Sequence, residues 1–242
     1  MTGTFINFVA IIIGSLLGIF FGARLSENLK NTVVAGMGLF TAALGVTMFL
    51  KTENSLIVLG ALIVGGLLGE WWKIEDRVQS LGIWLEKRFT GGSEGSTSRF
   101  VRGFLSASLL YCTGPMAVLG SISDGLRGDY LTLSIKSILD GFISIAFAST
   151  MGIGVLFSAL PVFVYQGSIS LLAAQLNSIM SNSMMNEMTA TGGILLIGIG
   201  ISSLLEIKKI RVGSFLPALV VAPLISYILS LVNIVSLLQI MP

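Results

Sequence analysis

The pentapeptide Ser-Ile-Xaa-Asp-Gly occurs twice, at 121–125 and 137–141, and sets two carboxylates, Asp124 and Asp140, at the ends of long apolar segments. A carboxylate at the centre of a membrane helix costs about 2.5–3.5 kcal/mol on insertion scales, so one retained there is by default a candidate for ion or proton handling. Lys136 lies one helical turn before Asp140. At that spacing the two suit a coupling or gating site and a plain buried ion pair equally. Asp124 precedes Gly125, Arg127, Gly128 and Asp129, which also suits a solvated Asp-Gly turn.

The second chemical feature is Tyr111-Cys112-Thr113-Gly114-Pro115 in the middle of an apolar run. Proline removes an amide donor and clashes with the carbonyl four residues back, and glycine lowers the cost of non-helical backbone. The helix is expected to kink or break there. A break at bilayer depth is tolerated where it faces protein or a water-filled cavity. It exposes carbonyls from one half-helix and, from Pro115 onward, amide donors whose positive dipole end suits an anionic group. The break reads either as a packing kink or as the floor of a substrate site. Ser149, Thr150 and Gly152, in the looser run Ser149 to Gly154, are its expected facing wall.

Other chemistries fall away on composition. The chain has one cysteine and no histidine, which leaves Cys112 without an activating base and removes the commonest metal ligand and proton shuttle. No phosphate-binding loop, metal cluster or basic nucleic-acid stripe is present. The expectation is a protein that is not an enzyme, with no cofactor, no metal and no nucleic-acid partner.

The elements that position these residues are membrane spans. Of 242 residues, 54% are hydrophobic and 11% charged, and the mean hydropathy is +0.93. A soluble domain does not combine these values with a solvated surface. The expected partners are therefore the lipid bilayer and a small solute or ion. Apolar windows fall near 4–22, 32–50, 54–70, 103–122, 134–158, 162–180, 188–205 and 212–238. The sixth, with Gln166, Gln175 and Asn177, is the most polar. Without it the count is seven. The first window lacks a basic flank and a small-residue cleavage site, so it reads as a span and not as a removed signal peptide. With the amino terminus outside, Arg24, Lys30, Lys73, Arg77, Lys87, Arg88, Arg99, Arg102, Lys208, Lys209 and Arg211 are cytoplasmic, and only Lys51, Arg127 and Lys136 are not. By the positive-inside rule this asymmetry favours an outer amino terminus and, with eight spans, an outer carboxyl terminus; seven spans would break the pattern at Lys208. Asp124 and Asp140 then flank one outer connection, as a mouth or gate.

The whole chain reads as a single integral membrane domain, 1–242, with a cytoplasmic segment at 71–102. There Trp71, Trp72 and Trp84 interleave with charges, as in an interfacial amphipathic helix, and Gly91 to Ser96 has the composition of a flexible linker. In the first span the stripe Gly14, Gly18, Gly22 suits close packing, against a neighbouring span or against a second copy in a homo-oligomer. Two internal similarities appear. A shift of 38 aligns Gly103-Phe104, Ser106 and Gly114 with Gly141-Phe142, Ser144 and Gly152; a shift of 155 aligns Asn31, Ala35, Gly38, Gly45 and Leu50 with Asn186, Ala190, Gly193, Gly200 and Leu205. Under the eight-span topology both pairs run in opposite directions, as inverted repeats in transporters do.

Gly3-Thr4, Asn7, Gly69-Glu70, Cys112-Xaa-Gly114-Pro115-Met116, Gly120-Ser121-Ile122, Asp124-Gly125-Leu126, Gly128-Asp129 and Lys136 to Phe142 together resemble the bacterial YqgA/YdfK-like membrane family, domain of unknown function 554. The resemblance implies a multi-span protein of the bacterial inner membrane and assigns no residue a role. The expected fold is an all-α polytopic bundle of seven or eight spans with a broken central helix. The expected function is a transporter or channel-like permease for a small polar or anionic solute. The alternative is a non-transporting scaffold or sensor that docks a partner through 71–102.

Overall fold

The computed structural model describes residues 1–24, 26–90, 96–112, 115–205, 207–208 and 210–240. Thr113, Gly114 and 91–95 of the expected linker lie outside them. Twelve helices follow in chain order: α1 (Thr2–Gly22), α2 (Glu27–Phe49), α3 (Ser55–Trp71), α4 (Ile74–Thr90), α5 (Ser96–Cys112), α6 (Pro115–Arg127), α7 (Leu131–Met151), α8 (Gly154–Phe157), α9 (Ala159–Leu171), α10 (Ala173–Ile179), α11 (Asn182–Ile199) and α12 (Ala218–Ile240). A π turn, Gly200–Leu204, continues α11, and a 3-10 turn, Val212–Phe215, precedes α12. Among the described residues there is no strand.

The helix starts are chemically marked. Ser26, Asn54 and Ser181 each accept a hydrogen bond from an amide two or three residues on, at Leu29, Leu56 and Met184, which satisfies a donor that the first turn leaves open. The ends and bends follow the backbone. Gly152 closes α7 at φ +74°, ψ −151°, a region open essentially to glycine alone.

Six helical stretches among the described residues are long and apolar enough to cross a membrane, and up to eight if each of two bent pairs counts as one span. The bent pairs are α3 with the start of α4, at 58°, and α5 with α6, at 61°. The sequence window at 103–122 is thus two helices divided after Cys112. Phe5, Leu39, Leu59, Phe142, Leu160 and Val220 form part of an exposed apolar surface, as lipid requires. Ile11, Leu109, Phe147, Leu196 and Ile199 lie in the core.

Three of the bundle's helix pairs meet through glycine. α1 runs in the same direction as α7, with Gly14 against Gly141, Gly18 against Ile145 and Gly22 against Ser149. α2 runs antiparallel to α11. A Cβ on Gly45 would stand 2.5 Å from the Gly193 carbonyl oxygen, and one on Gly193 would stand 2.5 Å from that of Gly45. α3 is antiparallel to α12, where Gly65 meets Ala218 and Gly69 meets Ser214. These directions have the parity of eight spans: the first and fifth agree, while the second opposes the seventh and the third the eighth.

Glycine contacts of this kind leave no room for a side chain, and overpacking costs about 1–3 kcal/mol or more. Gly45→Val should therefore lower the thermal midpoint in detergent by several degrees. Gly60→Ala, whose nearest neighbour would be the Ile225 methyl at 3.7 Å, should leave it within error of the parent.

Candidate functional site

One face of α7 carries Lys136, Asp140 and Ser144 at four-residue intervals, all buried. Asp140 is nine residues from the start of α7, about 13 Å along its axis. Lys136 forms an ion pair with Asp140 Oδ2, and the Nδ2 of Asn7 on α1 donates to the same oxygen at 3.0 Å. That Nδ2 also lies 3.3 Å from Gln166 Oε1 on α9. Tyr111, fully buried at the end of α5, shares a hydrogen bond of 2.7 Å with Ser144, and the Lys136 ammonium stands 5.7 Å from the centroid of its ring. Four helices thus converge on one charge pair. The Asn7 Oδ1 and Gln166 Nε2 atoms are buried with no hydrogen-bond partner among the described residues.

Asp124 is elsewhere. α6 continues through it to Arg127, so it stands on a helix and not in a solvated turn. Its carboxylate is buried against the start of α1, where it accepts from the Gly3 amide at 3.0 Å and lies 3.2 Å from the Met1 amino nitrogen. The two aspartates expected to flank one mouth are therefore separated: Asp124 caps the start of α1, and Asp140 sits nine residues into α7, inside a polar cluster.

The structure also redistributes the expected substrate wall. α5 and α7 are antiparallel, since Gly103 packs against Met151 and Tyr111 against Ser144. The end of α7 therefore faces the start of α5, and Gly154 meets the Phe100 backbone, not the break at Cys112. Ser149 and Thr150 donate to carbonyls of their own helix, at Ala146 and Phe147. Gly152 ends that helix. Cys112 is half-buried with a free thiol, Pro115 opens α6, and Thr113 and Gly114 fall outside the described residues.

Three further carboxylates do more than their sequence positions indicate. Glu187 on α11 is wholly buried and accepts from the Thr52 hydroxyl at 2.6 Å and from the Glu53 and Asn54 amides at 2.8 and 3.0 Å. It caps the start of α3 from another helix. Glu75 on α4 accepts from the Gly213 amide at 2.7 Å. Beside it, Glu70 accepts from the Ser214 hydroxyl at 2.7 Å and pairs with Arg211, which also reaches Asp76. A cavity of about 280 Å³ lies between α2, α5 and α7, lined by Met37, Phe40, Leu110, Ile143 and Phe147, with Thr41 among them, and none of the cluster residues lines it. Its walls are apolar.

The family described as a protein of unknown function (DUF554) matches residues 2–227. The chain belongs to this family. It is 33% identical to YdfK of Bacillus subtilis (strain 168), described as an uncharacterized membrane protein, over 233 residues that cover 95% of this chain and 97% of that one. It is 28% identical to YqgA of Escherichia coli (strain K12), described as an uncharacterized protein, over 221 residues, 91% of this chain and 94% of YqgA. No solved structure matches.

The cluster makes asymmetric demands on mutation. Removing one partner of a buried pair costs about 3–5 kcal/mol, whereas replacing both by apolar residues is often near neutral. Asp140→Leu or Lys136→Met alone should lower the thermal midpoint sharply, and the double variant should recover most of the loss. Glu187→Ala strands two amides and should cost about 2 kcal/mol or more, read by the same thermal melts.

Proposed function

We propose that this DUF554 protein is a transporter or channel-like permease of the bacterial cytoplasmic membrane for a small polar or anionic solute or an ion. The observation that carries the reading is the Lys136–Asp140 pair, buried on a helix long and apolar enough to cross a membrane and set among an amide oxygen and an amide nitrogen without a hydrogen-bond partner among the described residues. Charges inside a membrane are expensive, and where a bundle keeps them beside unsatisfied donors and acceptors the economical explanation is a passing polar species. The 61° turn between α5 and α6 adds a discontinuous span next to Tyr111, of the kind that transporters use to expose backbone groups to cargo.

Packing symmetry supports an alternating mechanism. Gly38 and Gly45 of α2 correspond, by the shift of 155, to Gly193 and Gly200 of α11. The observed contacts join Gly45 to Gly193 and Gly200 to Gly38, as a two-fold relation between inverted halves requires. In this reading the two halves rock about the α2–α11 seam. The reading assigns the chain no catalysis and no cofactor. Docking through α4 has less in its favour, because the exposed Trp72 and Trp84 are accommodated by headgroups.

The test is stopped-flow light scattering on reconstituted vesicles, shrunk by urea, glycine or sodium acetate and followed through re-swelling. At least one solute is expected to re-swell protein-containing vesicles faster than protein-free ones, and Asp140→Asn should slow it at least tenfold. Re-swelling that Asp140→Asn leaves unchanged ends the assignment of the pair to transport.

A further inference from the structure

The inward face of α1 carries more buried polarity than the ion pair uses. Thr4 Oγ1, Asn7 Oδ1 and Ser15 Oγ are buried without a hydrogen-bond partner among the described residues, and so are Gln166 Nε2 on α9 and Ser106 Oγ on α5. In height along the bundle they form a file, with Thr4, Asn7 and Ser15 along one side of α1. At its outer end Asp124 holds the Gly3 amide. Asn7 then meets Asp140 and Gln166. Gly14 packs against Ser144, which sets Ser15 at the level of the Ser144–Tyr111 hydrogen bond. Because α5 opposes α7, Ser106 lies a further five residues toward the inner end. From Gly3 to Ser15 is about 18 Å of helix, and from Tyr111 to Ser106 about 7 Å. Together they cover most of the roughly 30 Å of hydrocarbon.

Buried polar atoms left unpaired by protein are ordinarily satisfied by ordered water, which bridges two to four such groups. We propose that this file holds water and conducts protons across the membrane, with the Lys136–Asp140 pair as its relay. The inference rests on the pair being a transport element and names the ion that it moves. A metal cation fits poorly. Asp140 Oδ2 already receives both the Lys136 ammonium and the Asn7 amide, and the ammonium repels a second cation. Hydroxyls and water donate and accept at one oxygen, which is what proton transfer along a chain needs, and the amides of Asn7 and Gln166 hold such waters in place.

The relay balances without a redox partner. A proton entering through water at Asn7 and Gln166 converts the Asp140 carboxylate to a carboxyl. The Lys136 ammonium releases a proton to water on the Tyr111 side and becomes an amine. The carboxyl proton then passes to Lys136 Nζ, restoring both charges, and one proton has moved inward.

The experiment uses the full chain in phosphatidylcholine–phosphatidylglycerol vesicles with pyranine inside and a potassium diffusion potential, negative inside, set by valinomycin. Internal acidification is expected several-fold faster than in protein-free vesicles. Thr4→Val and Ser15→Ala should each slow it at least tenfold with unchanged thermal midpoints, since neither hydroxyl has a hydrogen-bond partner among the described residues. No acidification above protein-free vesicles, or variants at the parent rate, overturns the proton path. Urea, glycine or acetate permeation measured on the same vesicles separates the two readings: if it persists without acidification, the path fails and transport stands; if both are absent, both fail.

Discussion

The bundle depends on backbones touching. Along α1 and α7, α2 and α11, and α3 and α12, glycines bring one main chain against another at distances that no side chain allows. In lipid the hydrophobic effect does not drive helices together, so van der Waals contact and polar pairing between close backbones carry the association. The α1–α7 contact has a chemical product as well. It brings the short Asn7 side chain within hydrogen-bond reach of Asp140. With bulky residues at 14, 18 and 22 the helices would separate, and the amide would no longer reach the carboxylate.

A second constraint concerns helix starts. Each begins with amide donors that have no partner within the helix, and in a membrane protein many of these starts are covered by other elements. This chain answers with carboxylates supplied from a distance: Asp124 of α6 for α1, Glu187 of α11 for the approach to α3, and Glu75 of α4 for the turn before α12. Negative charge at these positive ends is favourable on two counts, as an acceptor and against the helix dipole. These contacts also fix which helices are neighbours.

Much of the architecture was legible because spans are written as apolar runs and breaks as proline and glycine. The division after Cys112 follows from Gly114 and Pro115, and the buried face of α1 follows from its glycine period. The site was legible only in part. Asp140 and Lys136 stand out by charge alone, but Asn7 and Gln166 read as mild polarity in otherwise apolar helices, and Glu187 as an interfacial residue. Their partners lie more than 100 residues away in sequence, and helical periodicity gives a side chain its face without naming what the face meets. The same limit misplaced the Thr150 wall, since the register between α5 and α7 is decided by packing.

The four-residue spacing of Lys136 and Asp140 has a consequence for how the protein is made. Each residue alone would burden a nascent helix by about 2.5–3.5 kcal/mol as it leaves the translocon. Paired on a single turn, they offset each other within α7 itself, without help from α1, α5 or α9, so α7 enters the lipid as an electrically neutral segment. A partner charge placed on another helix would have given the same folded cluster, but only after two separately charged segments had been inserted.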